Sequence, residues 1–271
     1  MDLIDIYTNY GIITLTLLVI LSFIAGFVDA VVGGGGLIQI PALLISFPQT
    51  ALPTIFGTNK IASLAGTSIS AIGYSKRIKF NFKLLLAVSV CAGLSSFLGA
   101  KIVSFINVEF LKPFILAVLI AVAIYTFFKK DLGAIPSKNL SLNHQIIYGS
   151  LLGLIVGFYD GFFGPGTGSF FVLGFVVLLG FEFVQASAYA KVINCMTNIS
   201  ALVVFIKQGN YLLELAILMS VCNITGNFVG TRLALKKGNA FVRTIFLVIV
   251  TLMILRYAYD VFIKHWNLIN E

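Results

Sequence analysis

Two lysines lie deep inside apolar stretches of the chain, where a charged side chain is costly. Lys60 and Lys191 each lie about eight residues into a long apolar stretch, about 12 Å along a helix axis. Polar residues follow at helical spacing: Ser63, Thr67 and Tyr74 after the first lysine, and Asn194 and Asn198 after the second. Such stripes should face the interior of a helix bundle. The two ammonium groups, with amide donors, are candidates to line a path for an anion. The alternative is that each lysine forms a buried ion pair with an aspartate and has no role in transport.

Two glycine-rich runs interrupt apolar stretches, and a short helix is predicted after each. The runs are Gly33, Gly34, Gly35 and Gly36, and later Gly164, Pro165, Gly166, Thr167 and Gly168. Unwound backbone at membrane depth is stable only where protein or a cavity satisfies its polar groups. Its N–H groups, beside a helix N-terminus, favour an anion. The runs are therefore predicted to bind substrate, with close helix packing through small residues as the alternative.

An aspartate lies four residues before each glycine run, at Asp29 and Asp160. A carboxylate within lipid costs about 2.5–3.5 kcal/mol even on the gentler insertion scale. We interpret these two residues as candidates for proton coupling or for capping a broken helix. The alternative is that one or both lie hydrated near the membrane interface.

Several kinds of active site are not indicated by the sequence. Neither glycine run is followed by Lys-Ser or Lys-Thr, as a nucleotide-binding loop requires. The two histidines, His144 and His265, lie outside the central apolar stretches, so no histidine metal site is predicted within the membrane. The three cysteines have no histidine nearby to activate them. We therefore expect no cofactor, no metal and no enzymatic activity.

The amino-acid composition indicates the class of protein in which these residues lie. Of 271 residues, 59% are hydrophobic and 10% are charged, and the mean hydropathy is +1.04. Soluble domains average about 45–50% apolar and about 25% charged residues. The composition excludes a soluble enzyme, a nucleic-acid binder and a disordered scaffold, and predicts an all-α polytopic protein whose surroundings are the lipid bilayer. The net charge of +8 is then explained by basic cytoplasmic loops.

Ten apolar segments can be distinguished along the chain. They cover about 11–32, 37–47, 52–75, 82–106, 110–128, 146–163, 168–181, 183–206, 212–235 and 241–263. The second and seventh are too short to span a bilayer and are predicted to be half-helices or re-entrant elements. Most of the Lys and Arg outside the apolar segments fall in 76–83, 129–145 and 232–243. The preference of positive charge for the cytoplasm places these regions inside and both termini outside.

The chain repeats itself at an offset of 131 residues. Asp29 aligns with Asp160, and Lys60 aligns with Lys191, although charged residues are rare in both stretches. Each half holds an odd number of crossings, so the halves run in opposite directions through the membrane, as in secondary transporters. We predict two inverted repeats of about five segments each, at 1–128 and 146–271, joined by a cytoplasmic linker at 129–145.

Five stretches together resemble the signature regions of the TauE/SafE sulfite-exporter family, and most closely its YfcA-type branch. They are GFVDAVVGGGGLIQIPALL, FGTNKIASLAGTSISAIGYSKRIKF, GFYDGFFGPGTGSFF, AKVINCMTNISALVVF and GTRLALKKGNAFVR. The resemblance implies substrate-facing roles for Asn59 and Lys60 of GTNK, and for Lys191 and Asn194 of AKVIN. Ala190 aligns with Asn59, and Ser63 with Asn194, so one asymmetric site is expected instead of two equal ones.

The resemblance implies a secondary-active transporter of small anions such as sulfite, sulfonates or sulfoacetate, in the bacterial cytoplasmic (inner) membrane. Proton coupling through the aspartates is one interpretation, and a homo-oligomer is compatible with it. An anion channel is the alternative function, and an intramembrane enzyme is disfavoured because no nucleophile has a base nearby.

Overall fold

The computed structural model describes residues 3–103 and 138–270, and these residues form helices and connections without any β-strand. The predicted segment 110–128 and the first part of the predicted linker lie outside the described residues. Within those ranges the helices are α1 (Leu3–Val32), α2 (Gly36–Ser46), α3 (Leu52–Ser75), α4 (Phe82–Ile102), α5 (Leu142–Phe162), α6 (Thr167–Gly174), α7 (Phe183–Lys207) and α8 (Leu213–Asn270). A π-helical turn, Phe175–Leu179, continues α6.

Most predicted segment ends agree with these helices. Helix α5 differs, because it begins at Leu142, inside the predicted linker 129–145. The segments predicted at about 212–235 and 241–263 form two helices that meet at Gly238, a non-helical residue with a φ of 73°, and the range of α8 includes both. Helix α1 has a similar break at Gly11, where φ is 76°, so its apolar part is Gly11–Val32. A single non-helical glycine therefore separates two helices where the basic residues near 236 predict a connection.

Five stretches of the described chain are long and apolar enough to cross a membrane. They are Gly11–Val32, Phe82–Ile102, Leu142–Phe162, Phe183–Lys207 and Leu213–Ile249. Helix α3 is 24 residues long but is absent from this group. Its polar stripe lowers its hydropathy, and it packs between α7 and α8. The short helices α2 and α6 follow the two glycine runs, as predicted.

The long helices of each predicted half pack mainly against helices of the other half. Helix α1 packs along α8, and α4 packs along α5, while the central helices α3 and α7 contact each other. Glycines allow the close approach. A Cβ on Gly226 or Gly230 of α8 would overlap the backbone of α1 at Phe23 or Phe27, and one on Gly161 of α5 would overlap Ser96 of α4. The main helix contacts therefore join one predicted half to the other.

The described parts of the three basic regions lie at one end of the bundle. Lys138 contacts the carbonyl of Leu178, and Lys76, Arg77, Arg232 and Lys236 surround a cavity of about 890 Å³. The opposite end holds the connection between α7 and α8. There the backbone N–H of Leu212 donates to the hydroxyl of Thr58, near the start of α3. The arrangement gives the bundle one basic end, as the sequence predicts for the cytoplasmic side.

Candidate functional site

The two glycine runs meet at the centre of the bundle. Helix α1 ends where Gly33 donates to the carbonyl of Asp29 at 2.8 Å, and Gly33 has a φ of 82°, which an L-residue with a Cβ adopts only at a cost. The Gly33 backbone lies directly against Gly168, so a Cβ on either residue would overlap the other's backbone. The two chain reversals thus pack backbone against backbone, and no larger residue fits between them.

The second glycine run is fixed by hydrogen bonds of its own. Gly164 and Gly166 both have positive φ values, 91° and 82°. The Thr167 hydroxyl donates to the Gly164 carbonyl at 2.7 Å, and the Tyr159 hydroxyl donates to the Pro165 carbonyl at 2.6 Å. These contacts hold the start of α6 in place at the junction, opposite the start of α2.

Lys60 forms one of two buried ion pairs at this junction. Its Nζ lies 2.6 Å from Asp160 Oδ2 and also donates to Asn198 Oδ1 at 3.0 Å. Lys60 and Asp160 are 4% and 3% exposed. The pair joins α3 to α5, so it connects the first predicted half to the second.

Lys191 forms the other pair, with Asp29. Its Nζ lies 2.9 Å from Asp29 Oδ1, an ion-pair distance at an angle that does not make a hydrogen bond. The Thr67 hydroxyl donates to the other carboxylate oxygen, Oδ2, at 2.9 Å. This pair joins α7 to α1 and again connects the two halves. With Asp29 and Asp160 only 7% and 3% exposed, the alternative of hydrated aspartates near the interface is wrong for this conformation.

A small cavity lies between the ion pairs and the glycine turns. Most of the residues predicted to bind substrate or protons line it: Asp29, Gly33, Gly36, Asn59, Lys60, Ser63, Asp160, Gly164, Thr167, Gly168, Asn194 and Asn198. Its volume is about 20 Å³, which is enough for roughly one water molecule. An oxyanion with several heavy atoms does not fit, so the site is closed in this conformation.

Some predicted residues lie elsewhere, and three lining residues were not predicted. Gly34 faces Ile249, Gly35 packs against Ala25 and Asp29, and Pro165, Gly166 and Lys191 do not line the cavity. Ile40, Phe56 and Phe163 complete the lining. The sequence does not identify these three residues as cavity-lining, because apolar residues are equally common on the lipid-facing sides of helices.

Two amide atoms beside the cavity have no hydrogen-bond partner among the described residues. They are Asn59 Oδ1 and Asn198 Nδ2, and both residues are more than nine-tenths buried. A buried polar group without a partner costs about 1–3 kcal/mol. These atoms are therefore available to a ligand, which would remove that cost.

A hydrogen-bonded chain of polar side chains runs beside the site between α3, α8, α2 and α1. Its links are Thr231 to Ser70 at 2.7 Å, Ser70 to Asn227 at 2.6 Å, Asn227 to Asn223 at 2.7 Å, Asn223 to Gln39 at 3.4 Å and Gln39 to Ser22 at 3.2 Å. The residues 131 positions away are Ala100, Ala201, Ser96, Ala92, Phe170 and Gly153. Only Ser96 among them is polar, so this series of hydrogen bonds has no counterpart in the other half. Ser70 continues the polar stripe of α3, which is the signal that could have identified it.

The chain is similar in sequence to one protein family and to several known proteins. The family described as "Sulfite exporter TauE/SafE" matches residues 18–257. A probable membrane transporter protein of Sinorhizobium sp., ORF9, is 35% identical over 248 residues, covering 91% of this chain and 93% of its own. A probable membrane transporter protein of Haemophilus influenzae is 33% identical, covering 93% and 97%. YfcA of Escherichia coli, also a probable membrane transporter protein, is 34% identical, covering 93% of each chain. No solved structure matches the chain.

Proposed function

The chain belongs to the TauE/SafE sulfite exporter family of membrane transporters, and we propose that it is a secondary-active transporter of small anions. The substrates proposed are sulfur oxyanions and sulfonates of the sulfite or sulfoacetate class. The proposed location is the bacterial cytoplasmic membrane, with the basic end of the bundle in the cytoplasm.

One observation carries this proposal: two buried Lys–Asp pairs meet at the closed junction of the glycine turns. Removing one partner of a buried ion pair is strongly unfavourable, because the other charge is left uncompensated. An anion can take the place of a carboxylate beside the ammonium and restore the balance. The lysines, the asparagine amides and the starts of α2 and α6 then supply positive charge and donors around it.

The aspartates offer a means of coupling transport to protons. A carboxylate displaced from its lysine in a water-poor site is stabilised when it takes up a proton. The anion and the proton would then be loaded together, and the empty and loaded sites would carry the same net charge. We therefore propose Asp29 and Asp160 as the candidate proton carriers.

The inverted repeat, 1–128 and 146–271, is proposed as the machinery of alternating access. The packing of helices across the two halves supports this proposal. Helix α1 packs on α8 and α4 packs on α5, and these two pairs are equivalent at the offset of 131 residues. The two cross-half ion pairs are equivalent in the same way. In transporters built this way the substrate site lies where the repeats meet, near the middle of the membrane.

Uptake into proteoliposomes tests the proposal. The purified protein should accumulate labelled sulfite or a small sulfonate when a pH gradient is imposed, and protein-free vesicles should not. An anion channel is the second candidate, and it predicts currents in planar bilayers far above carrier turnover. The proposal is refuted if sulfur oxyanions, sulfonates and carboxylates are not accumulated and none of them raises the unfolding temperature of the purified protein.

A further inference from the structure

We infer that the two buried ion pairs have different roles: Lys60–Asp160 opens to receive the anion, whereas Lys191–Asp29 stays closed and holds the two halves together. This division rests on the proposed function and deepens it. The two pairs occupy equivalent positions in the two halves, so their surroundings can be compared residue by residue.

The first difference is access to the cavity. Lys60 and Asp160 both line it. Lys191 does not line it and its side chain is completely buried. Asp29 reaches the cavity wall, but Lys191 and Thr67 already occupy its two oxygens. An anion entering the cavity therefore meets the ammonium of Lys60 and not that of Lys191.

The second difference is the third partner of each pair. Thr67 and Asn198 lie 131 residues apart, at equivalent positions. Thr67 donates to the carboxylate of Asp29, while Asn198 accepts from the ammonium of Lys60. Among the described residues, Lys60 is the only hydrogen-bond donor to the Asp160 side chain. Asp29 thus has two partners and Asp160 has one, so the Asp160 carboxylate is the easier one to displace.

The third difference is what remains when the carboxylate leaves. Asn198 Oδ1 would still accept from Lys60, and Asn198, which lines the cavity, has an Nδ2 without a partner. Asn59 also lines the cavity with an unpartnered amide oxygen, whereas Ala190 stands at the equivalent position beside Lys191. An amide that rotates can offer its N–H₂ to an anion. The two unpartnered amide groups that line the cavity are therefore both beside Lys60.

If only the Lys60–Asp160 pair opens, the net charge of the loaded site is determined. One monoanion replaces one carboxylate, and Asp160 takes one proton, so the loaded and empty sites have equal charge. The charged groups around Asp160 are Lys60 on α3, Asp29 on α1 and Lys191 on α7; Lys101 on α4 is exposed and lies over the Phe97 ring. Because Lys191 and Asp29 neutralise each other, transport should respond to a pH gradient and not to membrane potential.

Two double variants test the division. Lys60→Gln with Asp160→Asn should remain monodisperse but bind the anion about tenfold more weakly or worse, because a contact to a charged donor is lost. Lys191→Gln with Asp29→Asn should lose much less affinity than the first double variant, and it should unfold at a lower temperature. Equal loss of affinity in the two double variants would overturn the division, as would normal transport by the first.

Single variants at the equivalent positions keep the test decisive if the second double variant does not fold. Asn198→Ala should weaken anion binding about tenfold, and Thr67→Ala should lower thermal stability and leave affinity unchanged. A larger loss of affinity in Thr67→Ala would reverse the assignment. Uptake driven by a potassium diffusion potential at equal pH would show that transport moves net charge. That result would contradict the equal charge of the loaded and empty sites, but not the division of roles between the two ion pairs. Absence of binding by the unaltered protein would refute the proposed function itself.

The cavity of about 890 Å³ at the basic end carries a second, independent proposal: we propose that it holds the headgroup of an anionic phospholipid. Lys76 and Arg77 line it from the end of α3, and Arg232 and Lys236 line it from α8. Its one lining carboxylate, Glu182, accepts a hydrogen bond from Asn239 at 2.6 Å, so the lining is strongly positive overall.

The apolar side of this cavity favours a lipid over a free anion. Ile69, Val184 and Leu235 form part of the wall, and Phe228 is 45% exposed with the Arg232 guanidinium 3.9 Å from its ring centre. A basic rim over an apolar, outward-facing wall matches a phosphate headgroup with its acyl chains. This site involves none of the residues of the ion-pair junction.

Thermal unfolding with added lipid tests this second site. Phosphatidylglycerol should raise the unfolding temperature of the unaltered protein more than phosphatidylcholine does. The extra shift should disappear in Arg232→Gln with Lys236→Gln, and persist in Lys79→Gln with Lys83→Gln, which removes equal charge from exposed lysines outside the cavity. The proposal fails if the two double variants respond alike, or if inorganic phosphate reproduces the shift.

Discussion

Gly168→Ala tests the backbone contact between the two glycine turns most directly. Gly168 is the second residue of α6 and has no positive φ, so alanine alone would favour the helix by about 0.5–1 kcal/mol. The added Cβ would, however, overlap the Gly33 backbone, and no side chain is there to rotate away. Carbon atoms need roughly 3.5–4.0 Å between them, so the turns must separate by about 1 Å or more.

The expected outcome follows from the balance of these effects. Overpacking costs about 1–3 kcal/mol, with the upper end appropriate where backbone meets backbone. After the gain in helix propensity, the net loss should be about 2 kcal/mol. For a chain of this size the unfolding temperature should fall by about 4–8 °C. Thermal unfolding in detergent measures it, and transport in proteoliposomes should fall as well.

Gly36→Ala is the matched control at the same junction. A Cβ there would lie 3.5 Å from the Pro165 Cα, an ordinary contact, and Gly36 is the first residue of α2. Its stability should stay the same or rise slightly. If Gly168→Ala is as stable as Gly36→Ala and transports normally, the turns are not in tight contact and the reasoning from packing is refuted.

Three further predictions concern the surrounding structure. Asn227→Ala removes the buried hydrogen bonds that its side chain makes with Ser70 and Asn223 and should lower the free energy of unfolding by about 1–3 kcal/mol; the exposed Asn143→Ala should not, and equal stability of the two would show that these hydrogen bonds are unimportant. Tyr74→Phe removes the hydrogen bond to the Ala30 carbonyl and should cost about 1 kcal/mol in thermal unfolding, against no change for the exposed Tyr148→Phe. In a chain lacking its native cysteines, a cysteine at Lys79 should be protected from impermeant reagents added outside, and one at Gln208 should be labelled; the reverse pattern would overturn the proposed orientation.

The ends of the helices were largely predictable because polar and glycine residues punctuate the apolar stretches. Helix α3 covers the predicted 52–75, and α7 extends one residue beyond the predicted 183–206. The boundary between the last two predicted segments contains Gly238, where the backbone leaves the helical conformation beside the exposed Lys236 and Lys237.

Most of the polar residues that line the cavity were predictable, but the pairing of the charged ones was not. Spacing marked Lys60, Lys191, Asp29 and Asp160 because charged residues in apolar segments are conspicuous. It did not say which lysine meets which aspartate, since that depends on α1 packing along α8 and α4 along α5, contacts that are remote in sequence. The asymmetry at Asn59 and Ala190 was visible in the sequence, whereas the different partners chosen by Thr67 and Asn198 required the geometry.

The contact between Gly33 and Gly168 also has a mechanical consequence. The apolar part of α1, Gly11–Val32, is 22 residues or about 33 Å long, and it terminates at this contact. With that point as a fulcrum, tilting the helix by about 10° would sweep its far end through about 6 Å. A small rotation of α1 about this contact would therefore be enough to change the spacing of the helices at the surface.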